Sequence, residues 1–181
     1  MAPERLTGVL LVGGASTRFG SPKALACLAG ESLAERGWQT LGEACDERIA
    51  VGKLADGLEL PFRVHDDASS VRAPIAGVVT GLLAASADLC VFLPVDCPCV
   101  TPALLRLLAE ACAGADAAVP QTGPLPGAYR KSALPALQRR LAAERHLALR
   151  DALAELDTRV VDLDESLLVN VNTPDDLGLL G

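Results

Sequence analysis

At 181 residues, half of them apolar and 22% charged, the chain is long enough for one globular domain, 1–181, with a sizeable core. Its formal charge of −7 excludes a general nucleic-acid binder, which needs a basic face, and no uninterrupted apolar stretch reaches membrane length. Aromatic residues make up 3%, so an aliphatic core is expected, with Trp38 and the three Phe as isolated fillers.

Val9 to Val12 is a short apolar run that reads as a buried strand. It breaks into a loop holding Gly13, Gly14 and Gly20, with Arg18 and Lys23 inside it. Glycines let a backbone turn tightly and bring N–H groups close to a ligand, and two cations can neutralise phosphate oxygens. The loop is not a P-loop, because Gly20 is followed by Ser-Pro-Lys, and Gly13-Gly14-Ala15 does not supply a dinucleotide fingerprint. A nucleotide phosphate site of another kind remains.

Ser32 is expected to cap a helix from Leu33 to about Ala44. Arg48 to Val51 predicts a second strand, and Pro61 to Val64 a third that ends at His65-Asp66-Asp67. A Gly- and Ala-rich helix follows from Ile75 to Ala85. Leu89 to Val95 is the strongest strand signal and ends at Asp96. Thr101, with Pro102 at the first helical position, starts a helix to Ala113. Strands are expected at Asp116 to Pro120 and Arg159 to Leu163, with an extended segment from Leu125 to Arg130. Ser132 is expected to cap a helix to Ala142, and a further helix spans Ala148 to Leu156. Alternating strands and helices imply an α/β fold with a mostly parallel sheet covered on both faces. Ligands in such sheets bind beyond the carboxyl ends of strands, where the glycine loop and Asp96 both fall.

Asp96 either caps a turn or offers a hard oxygen to Mg²⁺, which often takes only one or two carboxylates besides phosphate oxygens. Asp66 and Asp67 read by themselves as a solvated acidic loop, although a carboxylate also suits the N1–H and N2–H₂ edge of guanine. In Asn170-Val171-Asn172-Thr173-Pro174-Asp175-Asp176, an extended start puts both Asn on one face, and Thr173 with Asp176 forms a variant capping box. The six cysteines show no zinc spacing, since Cys97 and Cys99 are separated by one residue. No signal peptide is recognised. Reduced thiols and a cytoplasmic location are expected.

The run Gly13-Gly14-x-Ser16-x-Arg18-Phe19-Gly20-x-x-Lys23 resembles the signature loop of nucleotidyltransferases, in particular the molybdenum cofactor guanylyltransferase family. Asp96-Cys97-Pro98 is similar to its Asp-x-Pro motif, and Ala73-Pro74-Ile75-Ala76-Gly77 to its Gly-Pro-Leu-x-Gly stretch, with alanine replacing the first glycine. Pro126 to Arg130 looks like the family's middle section, and Asn170 to Leu177 like its tail. The resemblance implies a Rossmann-like three-layer sandwich of the nucleotide-diphospho-sugar transferase type. It implies transfer of GMP from GTP to the phosphate of molybdenum-molybdopterin, with release of pyrophosphate. The roles it implies are Leu11, Gly13 and Gly14 against the nucleotide, Arg18 and Lys23 on the phosphates, and Asp96 on Mg²⁺. Asp66 would read guanine, and Asn170 and Asn172 would contact the pterin. Arg130, Arg145 and Arg150 are further cations that could reach an anionic substrate, although each reads first as a surface residue. Transient contact with molybdoenzymes or cofactor-synthesis proteins is also expected. The alternatives are a molybdopterin cytidylyltransferase, a sugar-phosphate nucleotidyltransferase, and a nucleotide-binding regulator without turnover.

Overall fold

The apolar run near the start of the chain becomes the centre of a sheet. In the computed structural model, which describes residues 4–13, 22–145 and 147–180, it forms β1 (Leu6–Leu11), buried along its whole length. A hairpin of β2 (Cys27–Leu28) and β3 (Glu31–Ser32) leads into α1 (Leu33–Ala44). Then follow β4 (Glu47–Gly52), β5 (Val64–Asp66), α2 (Pro74–Ala84), β6 (Leu89–Pro94) and α3 (Pro102–Ala111). The chain continues through β7 (Ala117–Pro120), β8 (Gly127–Arg130), α4 (Leu134–Ala143), α5 (Leu149–Leu153), β9 (Thr158–Val161) and α6 (Pro174–Gly178).

Seven strands make one sheet in the order β5-β4-β1-β6-β8-β7-β9. All run parallel except β8, which is antiparallel to both β6 and β7. Successive side chains of a strand point to opposite faces. Leu6, Leu10 and Val12 therefore pack with Leu33, Leu41, Leu105 and Leu108 of α1 and α3. Val9 and Leu11 pack on the other face with Ile75, Val78 and Leu82 of α2 and Leu137 of α4. Phe92 and Tyr129 meet edge to face in that second layer, with ring centroids 5.6 Å apart. Helices on both faces explain why the central strands are continuously apolar rather than alternating.

Helix starts follow local chemistry. The Ser32 side chain accepts from the Glu35 N–H, while Glu35 reaches back to the Ser32 N–H, a complete capping box for α1. Thr101 accepts from the Leu104 N–H, with Pro102 next to it.

Several boundaries differ from expectation. The third strand starts at Val64 rather than Pro61, because only Val64 to Asp66 pair with β4. Phe62 instead stacks on Trp38 of α1, 4.2 Å between centroids, with Arg48 over the indole. Ser132 caps no helix: Lys131–Ala133 is a 3₁₀ turn, and the hydroxyl donates to the Asp116 carboxylate. Helix α5 ends at Leu153 rather than Leu156, and β9 ends at Val161, beyond which the Gln121 side chain bonds the Leu163 backbone in place of the ladder. The β2–β3 hairpin was not expected. Its two-residue turn takes Ala29 and Gly30 to φ 53° and 89°, the primed geometry that suits a tight hairpin. Among the described residues no helix is long and apolar enough to cross a membrane.

Helix α2 lies close against the sheet where it carries Gly81. A Cβ there would sit 2.6 Å from Phe92 Cε1 and 2.8 Å from Val9 Cγ1. Alanine improves helix propensity by about 1 kcal/mol, but overpacking a core costs about 1–3 kcal/mol. Gly81→Ala is therefore expected to lower stability, read as an earlier urea midpoint. An unchanged or later midpoint would show that the two layers can part without cost.

Candidate active site

The strand order reverses beside β1. The chain builds β4 and β5 to one side of it, then crosses to lay β6 on the other. Such a switch leaves a crevice at the carboxyl ends of the strands. The ends stay stitched past the strands themselves: the Val12 N–H donates to the Val51 carbonyl at 3.0 Å, and the Val95 N–H to the Leu11 carbonyl at 3.2 Å. A cavity of about 730 Å³ opens there, walled by the ends of β1, β4 and β6.

Several residues singled out in the sequence meet in this cavity: Leu11, Gly13, Lys23, Asp96 and Asn170 all line it. Lys23 Nζ lies 3.6 Å from Asp96 Oδ2 and donates to Asn172 Oδ1 at 3.0 Å. Asn172 itself is not in the wall, but its amide is tied to the lysine that is. The Cys97 thiol donates to Asn170 Oδ1 at 2.8 Å. The Val171 N–H donates to the Asp96 carbonyl at 2.8 Å, and Val171 is buried between two exposed asparagines. This strand-like alternation puts both amides on one side, as the sequence spacing requires. The N–H groups of Asn172 and Thr173 hold the Asp176 carboxyl below its ordinary pKa and fix the tail at the start of α6. Gly14 and Arg18 lie outside the described residues.

The acidic pair divides differently from expectation. Asp67, not Asp66, lines the cavity. Alternation at the end of β5 turns the two side chains apart: Asp66 Oδ1 accepts from the Leu54 N–H at 3.0 Å, while Asp67 faces Lys53 at 3.3 Å. Lys53 Nζ also donates to the carbonyls of Asp67 and Ser69, so it holds the whole 67–69 turn. Ala73 stands in extended backbone at φ −139° as the residue before α2, so its methyl, where the resemblance expects glycine, meets no conformational penalty.

Of the three later arginines only Arg150 reaches the cavity, bonded to the Thr122 carbonyl at 3.1 Å. Arg130 is committed to Glu4 and Asp88, and Arg145 is exposed and not in the wall. Lys53, Asp56 and Arg72 are not singled out by the sequence; Lys53 directly follows β4, just beyond the strand end expected at Val51, in a strand-end position like those of Gly13 and Asp96. Arg72 forks onto the Asp56 carboxylate at 2.9 and 3.4 Å across the rim. Four cations and three carboxylates thus line the described wall, a local balance opposite to that of the whole chain.

Among the described residues no group of three His, Cys, Asp or Glu side chains gathers to hold a metal. Asp96 offers one hard oxygen ligand beside a cavity of nucleotide size, a donor set that fits a Mg²⁺ carried largely by phosphate oxygens. All six thiols are free. Burial pushes Cys45 and Cys90 up to about 12 and Cys97 higher still, so these sulfurs are neutral at physiological pH.

The Lys53–Asp67 pair is the most enclosed ion pair described, with side chains 13% and 10% exposed. Removing one partner of such a pair strands the other, at about 3 kcal/mol. Lys53→Ala is expected to lower stability by about that much, and Lys53→Met with Asp67→Asn by clearly less, in paired chemical denaturation curves. Equal losses would show that the pair contributes packing rather than charge compensation.

Comparisons with known proteins agree with this geometry. A family model described as a MobA-like NTP transferase domain matches residues 8–160. A probable molybdenum cofactor guanylyltransferase of Chloroflexus aggregans is 35% identical over 97% of this chain and 93% of that protein. One of Deinococcus radiodurans is 37% identical over 97% of this chain and 93% of its own length. The crystal structure of molybdopterin-guanine dinucleotide biosynthesis protein A from Archaeoglobus fulgidus superposes with a TM-score of 0.82, at 26% identity, over 96% of this chain and 95% of that one. A 2-C-methyl-D-erythritol 4-phosphate cytidylyltransferase from Thermus thermophilus shares the fold at a TM-score of 0.72 and 20% identity, over 94% of this chain and 95% of its own. By its sequence, its sheet order and its strand-end cavity, the chain belongs to the MobA-like NTP transferase family.

Proposed function

We propose that the protein transfers GMP from GTP to the phosphate of molybdenum-molybdopterin, forming the guanine dinucleotide cofactor and releasing pyrophosphate. The observation that carries this reading is the meeting of Lys23, Asp96 and the Asn170–Asn172 tail at the switch-point cavity, three segments far apart in sequence. The names of the relatives support the same assignment.

A phosphate oxygen of the pterin substrate forms a bond to the α-phosphorus as the bond to the β-phosphate oxygen breaks. Pyrophosphate leaves with that electron pair. The attacking phosphate is already ionised near neutral pH, so the chain need not supply a general base, and positioning and charge neutralisation do the work. Lys23, in the cavity wall next to the carboxylate of Asp96, neutralises phosphate oxygens. Asp96 would hold Mg²⁺, which when bound stabilises charge on the phosphoryl oxygens and the leaving pyrophosphate. The backbone of Leu11 and Gly13, which line the cavity, would pack against the nucleotide. Asp67, on the wall, would take the guanine-reading role that the family resemblance gave to Asp66 in preference to Asp67; its oxygens already face Lys53 and the Ser69 N–H, and base donors would use their remaining lone pairs.

Two measurements test this. Lys23→Ala and Asp96→Asn are each expected to reduce pyrophosphate release by at least about a hundredfold while leaving the urea midpoint near wild type. Near wild-type turnover in either would remove that residue from its role. Calorimetry with Mg²⁺ should show GTP bound in preference to CTP, ATP and UTP, with the preference lost in Asp67→Asn. Preference for CTP would move the assignment to a cytidylyltransferase. Loss of selectivity in Asp66→Ala instead would return base reading to Asp66.

A further inference from the structure

The two asparagine amides of the tail raise a question of direction. An amide has one accepting oxygen and a donating NH₂ group, and a substrate meets whichever end is turned toward it. In both residues the oxygen is already engaged by the protein. Lys23 Nζ donates to Asn172 Oδ1 at 3.0 Å, and the Cys97 thiol donates to Asn170 Oδ1 at 2.8 Å. The thiol carries one proton and has two acceptors in range, Asn170 Oδ1 and, more distantly at 3.7 Å, Asp96 Oδ1. The shorter contact is to the asparagine. Cys97 borders the cavity but is only 3% exposed, and its thiol is turned to Asn170, which is exposed and lines the same cavity. The backbone clasps the same two segments, through the Val171 N–H on the Asp96 carbonyl.

We propose that Cys97 is a positioning residue: its buried thiol pins the Asn170 oxygen so that the NH₂ group points into the cavity as a donor to the acceptor substrate. This rests on the transferase reading above and adds to it the sense of recognition. The pinned amide turns a hydrogen-bond donor toward the cavity, which favours anionic or carbonyl oxygen on the incoming molecule; Asn172, outside the wall, has its own oxygen engaged by Lys23. Were the Asn170 amide to flip, its oxygen would face an anion and repel it.

The test is a double-mutant cycle on Cys97 and Asn170, with molybdenum-molybdopterin as the titrated substrate and GTP saturating. Cys97→Ala is expected to raise the KM for the pterin about tenfold, the worth of one hydrogen bond, with the KM for GTP unchanged. Cys97→Ser keeps a donor at the same place and should restore KM to within about twofold of wild type. In an Asn170→Ala background the Cys97→Ala change should add nothing further. Direct binding of the pterin, followed by its fluorescence, should show the same pattern without turnover. If Cys97→Ala and Cys97→Ser are equally impaired, or if the two substitutions are additive, the thiol acts through packing and the proposal is overturned. Failure of wild type to bind the pterin or release pyrophosphate would overturn the transferase reading first, and the proposal with it.

Discussion

The site depends on the parallel pairing of β1 with a neighbour on each side. Because β1 hydrogen-bonds to β4 and to β6 in the same direction, three strands end at the same level. Each strand delivers its next residues to one place: Gly13 from the first, Lys53 from the second, Asp96 from the third. The pairing needs both faces covered, since a central parallel strand is apolar throughout, and α1 and α3 on one side and α2 and α4 on the other provide that cover. Core and active site are therefore parts of one arrangement, the apolar face residues holding in register the ends that carry the chemistry.

Charge in the cavity is arranged so that each described cation on the wall is held by a chain oxygen. Lys23 rests between Asp96 and Asn172, Lys53 on Asp67 and two carbonyls, Arg72 on Asp56, and Arg150 on the Thr122 carbonyl. Such tethers fix long, flexible side chains before a ligand arrives, so less entropy is lost on binding. They also let a chain of net charge −7 offer an anion a compensated surface. Long-range attraction toward a polyphosphate is weak for this molecule as a whole, and recognition falls to short contacts inside the cavity.

The tail completes the site from a distance in sequence. Its chemistry is local: Thr173 and Asp176 close a capping box, and Asp176 accepts from one further N–H, that of Asn172. That box stops the extended segment at a defined point, so Val171 drops into the core and its neighbours face outward. Placement against Asp96 and Cys97 then follows from one backbone bond and one thiol contact.

The sequence by itself determined what is written in short range. Helix α1 and its cap, the start of α3, the central strands and the tail's capping box follow from capping residues, apolar runs and alternation, which act within a few positions. The strand-end rule placed Gly13 and Asp96 at the cavity, and spacing placed Asn170 and Asn172 on one face. Tertiary structure alone decided which of Asp66 and Asp67 faces inward, because that turns on where β5 stops pairing with β4, a contact made across the sheet. It also recruited Lys53, Asp56 and Arg72 to the wall and sent Arg130 to the far end, since a flexible cation goes to the carboxylate that folding brings within reach. The reversed direction of β8 belongs with these, being set by its neighbours β6 and β7 rather than by its own four residues.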